Sequence, residues 1–151
     1  MAPRKLPADA LVSEILQKVS SAKTKTEKID LLREYNNPAL RAVLIINFDE
    51  SLQCLMPEGD VPYTPNEAPS GTEHTRLDHE YRNFYRFFKG GDSSLSSLKR
   101  EQLFIQLLEG LHKDEAELFV SACNRKLQDK YRVTQNVVAE AFPQIEWGNR
   151  G

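Results

Sequence analysis

The sequence has little cysteine and glycine, no long hydrophobic run and no excess of charge of one sign. With only 2 cysteines in 151 residues, Cys54 and Cys123, a disulfide-rich secreted domain is excluded, and two buried thiols in a reducing, intracellular setting are expected. No apolar run approaches the roughly 20 residues that cross a bilayer, which argues against a membrane protein. Residues 1–7 contain no apolar stretch, so we expect no signal peptide.

Charge is close to balanced, with 20 basic and 22 acidic residues and a net charge of −2. Proteins that coat DNA without sequence preference usually carry a basic excess, so the composition argues against such a coat. A balanced total still permits a local basic face. The distribution of the charges along the chain therefore determines where such a face can lie.

The motifs of the common enzyme chemistries are absent from the sequence. It has no phosphate-binding P-loop, no glycine fingerprint for dinucleotides and no nucleophile elbow around a serine. His74 and Asp78, four residues apart in an acidic stretch, do not have the paired spacing of structural zinc ligands. We therefore predict a non-enzymatic protein with no catalytic residue, no metal site, no cofactor and no small-molecule substrate.

The middle of the chain, residues 51–74, is predicted to be a long acidic loop rich in proline and glycine. No Lys or Arg occurs in residues 42–75, and four prolines between positions 57 and 69 exclude a helix there. Loops of this length in a small domain are usually functional or flexible. The candidate contacts for a protein partner in this loop are Glu58, Asp60, Tyr63 and Glu67.

Helical periodicity covers most of the remaining chain. Asn37 followed by Pro38 is a helix start, and the helix behind it is apolar on nearly all sides, which predicts a core position. Residues 76–88 are predicted to form a helix whose aromatic side chains, Tyr85 among them, face the core, and no alternating strand pattern exceeds four residues. We predict one all-α domain over residues 1–151, a compact bundle of six or seven helices.

Two groups of basic residues are candidates for contacts to DNA phosphates. The first follows one face of the aromatic helix and continues into the next helix. The second lies in a connector at residues 125–132 before the final helix, for which Thr134 is the predicted N-cap. Phosphate is bound by Arg, Lys, small hydroxyls and helix N-termini together, whereas the alternative is a solvated face balanced by acidic residues. The candidates are Arg82, Arg86, Lys89, Lys99, Arg100, Arg125, Lys126, Lys130, Arg132 and Thr134.

Several segments resemble an uncharacterised family of small proteins from T-even-like phages, especially cyanophages. They are NPALRA at 37–42, LMPEG at 55–59, KGG at 89–91 and FIQLLEGLH at 104–112. The resemblance covers nearly the whole chain. That family has no assigned activity, so the resemblance implies none for this chain. It implies a phage origin and a location in the cytoplasm of the infected host cell.

The chain also resembles, more distantly, the N-terminal helical DNA-binding domain of ATP-dependent DNA ligases, notably the T-even phage enzyme. The similar segments include EAELF at 115–119, RKL at 125–127 and FP at 142–143. Val120 and Ser121 stand where the ligases place two arginines, and Glu140 falls where they have a lysine. The ligase Lys-x-Asp-Gly motif is absent, so the resemblance implies a fold and a duplex contact but no ligation.

These observations lead to three alternative functions. The first is a phage DNA-binding or DNA-transaction accessory protein that grips the duplex backbone. The second is an adaptor that acts on a replication or transcription factor of the host or the phage. The acidic loop and the balanced charge favour this adaptor function. The third is a minor component of the virion.

Overall fold

The computed structural model describes residues 10–56, 63, 75–92 and 94–148. Within these ranges the chain forms eight α-helices and one 3₁₀-helix, and no strand, so the all-α prediction is confirmed with more helices than the six or seven expected. The acidic residues Glu58, Asp60 and Glu67 lie outside the described residues. The helices are α1 (Val12–Ser21), α2 (Lys25–Glu34), α3 (Pro38–Phe48), α4 (Leu77–Glu80), the 3₁₀-helix (Tyr81–Phe87), α5 (Ser97–Gly110), α6 (Lys113–Cys123), α7 (Leu127–Tyr131) and α8 (Gln135–Ala141).

Short polar side chains begin several of these helices. The Asn37 side chain accepts a hydrogen bond from the Leu40 N–H at 2.8 Å, and Ser96 accepts from the Lys99 N–H at 3.1 Å. Thr134 accepts from the Val137 N–H at 3.4 Å. These oxygens satisfy donors that the first turn of a helix leaves without an intrahelical partner. The predicted starts at Asn37 and Thr134 are confirmed.

The core is built around α3 and a cluster of four phenylalanines. Leu40, Val43 and Leu44 of α3 are fully buried, as its apolar circumference predicts. The phenylalanine rings come from three elements, and their centroids lie 4.6–6.3 Å apart, a range in which edge and offset contacts add to the burial of apolar area. Through this cluster the 3₁₀-helix packs against α5 and α6. The members of the cluster are Phe84, Phe87, Phe104 and Phe119.

One buried carboxylate joins three helices. Glu115, in the first turn of α6, has no exposed surface, and its two oxygens accept from the Val12 N–H at 2.9 Å and the Leu77 N–H at 3.0 Å. Val12 and Leu77 are the first residues of α1 and α4, so Glu115 accepts from both helix N-termini. Burial raises the pKa of Glu115 to about 7, against these two hydrogen bonds, which lower it.

The aromatic segment at residues 76–88 is not one α-helix, which corrects the prediction. It begins as the single turn α4 and continues as the 3₁₀-helix, which has three residues per turn. Phe87 is therefore fully buried, while Tyr85 is 52% exposed. Gly91 closes the turn that follows, where an added Cβ would stand 1.8 Å from the Tyr85 carbonyl oxygen.

The predicted connector at residues 125–132 also contains a helix, α7. The helix begins there because Asn47, buried in α3, accepts from the Leu127 N–H at 3.0 Å through its side-chain oxygen. The cap comes from a residue far away in the sequence, so no local sequence pattern predicts it. Among the described residues, no helix is long and apolar enough to cross a bilayer.

Candidate nucleic-acid interface

The 3₁₀-helix presents two of its three faces to solvent. Because it turns once every three residues, the Tyr81, Phe84 and Phe87 side chains share the face that packs on the core. Arg82 shares a second face with Tyr85, and Arg86 lies on the third. The predicted single stripe of Arg82, Arg86 and Lys89 was wrong, because it assumed the 3.6-residue period of an α-helix. The cations instead flank Tyr85.

Arg100 fixes the start of α5 against the 3₁₀-helix. Its side chain is almost fully buried, at 8% exposure, and its guanidinium donates to the carbonyl oxygens of Arg86, Asp92 and Leu95 at 2.9, 3.1 and 3.3 Å. These bonds engage Nε and one terminal nitrogen of the guanidinium, and burial keeps the rest of the group away from a DNA phosphate. Arg100 is therefore a structural residue, and its exposed neighbour Lys99 is held beside the 3₁₀-helix.

A short antiparallel pairing holds the other side of the same region. The Leu55 N–H donates to the Phe87 carbonyl at 2.8 Å, and the Lys89 N–H donates to the Gln53 carbonyl at 2.9 Å. The pairing places Leu55 and the exposed Lys89 side chain at the edge of the 3₁₀-helix. We name the exposed and half-buried side chains here the 3₁₀ surface, and they are Leu55, Arg82, Tyr85, the half-buried Arg86, Lys89, Leu98 and Lys99.

The four cations of the 3₁₀ surface form no ion pair with a carboxylate of the described residues, whereas Lys25, Arg76 and Lys130 do. Arg82 lies over the Tyr81 ring, 5.6 Å from its centroid, and Arg86 lies 5.7 Å from the Phe87 ring centroid. The Nε of Arg82 donates to the Tyr81 hydroxyl and that of Arg86 to the Asn83 carbonyl, each at 3.2 Å. The terminal nitrogens of both guanidiniums remain as donors for an anion.

The acidic residue Asp92 lies beside the 3₁₀ surface. Asp92 accepts from the Ser94 hydroxyl and N–H at 2.5 and 3.0 Å. These bonds lower the pKa of Asp92, with a smaller contribution from the charges of Arg100 and Arg86. Asp92 therefore stays ionised and offsets part of the local positive charge.

The second group of candidate cations is less available. Arg125, in a left-handed conformation at φ 60°, donates to the carbonyl oxygens of Leu52 and of Asn47, the latter at 3.4 Å. Lys130 forms an ion pair with Glu117 at 3.3 Å. Both contacts tie the ends of α6 and α7 to their surroundings, so these two charges are already balanced or bonded within the protein.

The remaining members of this group do not all share one face, since only Lys126 lines the same cavity as Arg125. Arg132 ends α7 with φ 49°, and its carbonyl accepts from the Lys28 ammonium at 2.6 Å. The exposed Lys126 lines a different cavity from the groove that Lys130 and Arg132 line. Thr134 is exposed, but its hydroxyl oxygen already caps α8. The structure thus divides the sequence candidates between separate surfaces.

Two exposed side chains of the 3₁₀ surface were not predicted from the sequence. Leu98 is 67% exposed and Leu55 is 42% exposed, and with Tyr85 they are the large hydrophobic side chains found exposed among the described residues. The spacing of Tyr81, Phe84 and Phe87 by three residues was the available signal for Tyr85. Tyr63 of the predicted loop is half-buried against the core. The described residues contain no cluster of three or more potential metal ligands.

Comparison with known protein families matches residues 15–129 to DUF6433, a family of unknown function. The match spans most of the chain, including every element of the 3₁₀ surface. No curated protein and no solved structure is significantly similar to the chain. The similarity to the ligase DNA-binding domain therefore stays a prediction from short sequence segments.

Proposed function

The chain belongs to DUF6433, a family of unknown function, and from this premise we propose that it is a non-enzymatic DNA-binding accessory protein that grips the duplex backbone through the 3₁₀ surface. The observation that carries the proposal is the set of four cations on the 3₁₀ surface. Arg82, Arg86, Lys89 and Lys99 project from one rigid support without a carboxylate partner among the described residues.

Rigidity of the support favours binding. The 3₁₀-helix is packed through Phe84 and Phe87 on the phenylalanine cluster, held to α5 by Arg100 and paired with the segment around Leu55. A preorganised set of cations loses less conformational entropy when it meets a phosphate backbone than flexible side chains on a loop do. Phosphate contacts position a protein on DNA without reading its sequence, which suits an accessory role.

Salt dependence tests the proposal, because release of condensed counterions makes phosphate-driven binding fall with ionic strength. We expect a fluorescently labelled duplex to bind with an affinity that falls roughly a hundredfold between about 50 and 200 mM salt, as expected for three or four phosphate contacts. Absence of binding at the lower salt, or an affinity that does not change with salt, would contradict the proposal. An uncharged polymer of similar length is the control.

The same surface also suits an adaptor that binds a protein, because it exposes Leu55, Tyr85 and Leu98. Exposed apolar and aromatic side chains near the centre of a polar patch are typical of protein interfaces. The double variant Tyr85→Ala/Leu98→Ala separates the two functions. Under the adaptor hypothesis it loses capture of a partner from infected cells, whereas backbone binding keeps most of its affinity. Deletion of residues 57–69 tests separately whether the acidic loop recruits that partner.

The phage origin and the place of action complete the proposal. They rest on the sequence resemblance to small phage proteins, which implies the cytoplasm of an infected host cell. Detection of the protein in lysates of infected cells, and its absence from purified particles, is the expected result. Recovery from purified particles would favour the virion component instead.

A further inference from the structure

The fold brings together the two cysteines, which are far apart in the sequence. Cys54 lies in the extended segment after α3, and Cys123 is the last residue of α6. Both line one cavity of about 680 Å³, together with Glu50, Arg125 and Lys126. Both thiols are partly exposed, and neither is part of a disulfide. Two partly exposed thiols that line one open cavity are within reach of small reagents.

The surroundings give the two thiols different acidities. The pKa of Cys54 is lowered to about 7, chiefly by the hydrogen bond from Cys123 and to a lesser extent by the Met56 backbone and the Arg125 charge, against desolvation, which raises it. The same hydrogen bond and desolvation raise the pKa of Cys123 well above its ordinary value. Because the thiolate is the nucleophile, Cys54 is the attacking thiol and Cys123 is the second one.

We propose that Cys54 and Cys123 form a reactive dithiol site that takes low-molecular-weight disulfides, such as oxidised glutathione, and closes to an internal disulfide. The proposal does not depend on DNA binding. It rests on the juxtaposition of the two thiols in one cavity, with the basic residues Arg125 and Lys126 beside them.

The reaction proceeds in two balanced exchanges. The Cys54 thiolate attacks one sulfur of the small disulfide, its S–S bond breaks, and one small thiolate leaves and takes up a proton. The Cys123 thiol then loses its proton to solvent and attacks the Cys54 sulfur, which releases the second small thiol. The protein dithiol is oxidised to a disulfide, and the small disulfide is reduced to two thiols.

Closure of this disulfide would tie the end of α6 to the segment that braces the 3₁₀ surface. Cys54 forms an isolated antiparallel bridge with Phe88, and the adjoining backbone bonds hold Leu55 and Lys89 in place. Oxidation therefore adds a covalent link between the α6 core and the edge of that surface.

The test is oxidation of the native protein with oxidised glutathione at about pH 7, followed by thiol counting and intact mass measurement. We expect both thiols to be lost, no glutathione to remain attached and the mass to fall by two hydrogens. The variant Cys123→Ser should stop at a mixed disulfide on Cys54. The variant Cys54→Ser should react at least roughly tenfold more slowly, because its remaining thiol is mostly protonated at neutral pH.

Retention of both thiols in the wild type, or glutathione attached to both, would overturn the proposal. Equal reaction rates for the two single variants would overturn it as well. Near-ultraviolet circular dichroism checks that each variant is folded. If a variant is not folded, alkylation of the wild-type protein followed by peptide mapping replaces it, with Cys54 expected to be labelled at least about tenfold faster than Cys123 and equal labelling contradicting the assignment.

Discussion

Lys99 and Arg100 show how different the roles of two adjacent basic residues are. Lys99 is exposed on the 3₁₀ surface, whereas Arg100 points inward and bonds three backbone carbonyls. A guanidinium has five donors in a fixed planar arrangement, so it can serve several carbonyls at once where a lysine cannot. The burial of Arg100 supports the surface on which Lys99 is exposed.

Replacement of Arg100 by alanine is therefore expected to lower the free energy of unfolding by about 2–4 kcal/mol, because three carbonyl partners and a buried side chain are lost together. Lys99→Ala is the matched control, and its effect should stay within about 0.5 kcal/mol. Urea denaturation of the two variants measures the difference. Equal effects on stability would show that Arg100 does not have the role assigned to it.

At the scale of helices, Glu115 connects elements that the sequence separates. Its carboxylate serves the first N–H of both α1 and α4, and it belongs to the first turn of α6. The folded carboxyl has a pKa of about 7, against an ordinary value of 4.5. The folded state therefore binds this proton more tightly than the unfolded state. The resulting stabilisation is complete below pH 4.5 and is lost as the pH rises through 7.

We expect the stability of the wild type relative to Glu115→Gln to fall by up to about 3 kcal/mol as the pH rises from about 4.5 to 8. Glutamine cannot titrate, so its variant lacks this slope. Glu117→Gln, an exposed change on the same helix, is the control and should keep the wild-type slope above about pH 5.5. Denaturation curves across this pH range provide the measurement. A wild-type slope that persists in Glu115→Gln would exclude Glu115 as its source.

Local patterns predicted the helices better than the connections between them. The caps at Asn37 and Thr134 are local, since each side chain bonds an N–H three residues ahead, and both were predicted. The Asn47 cap of α7 and the carbonyl contacts of Arg100 depend on residues that only the fold brings near. Over the seven residues of the 3₁₀-helix, periods of 3 and 3.6 residues differ by less than one position per turn, so Tyr85 was placed on the wrong face.

Across the whole molecule, a net charge of −2 coexists with a surface where cations predominate. The folding of the chain engages Arg125 and Lys130 in internal bonds and an ion pair, and leaves Lys89 and Lys99 exposed without a described carboxylate partner. The stronger candidates for DNA contacts are therefore the cations of the 3₁₀ surface, and not those of the connector before α8. The composition alone cannot show this division, because it depends on which charges are buried or paired.

The most direct measurement compares duplex affinity for two variants that each remove two positive charges. Lys89→Ala/Lys99→Ala alters the 3₁₀ surface, and Lys126→Ala/Lys130→Ala alters the connector and is the matched control. The first pair should weaken binding at least about tenfold at low salt and reduce the salt slope by about two, while the second should change affinity less than about threefold. An equal or larger loss for the connector pair, or no loss for the 3₁₀ pair, would contradict the proposed interface.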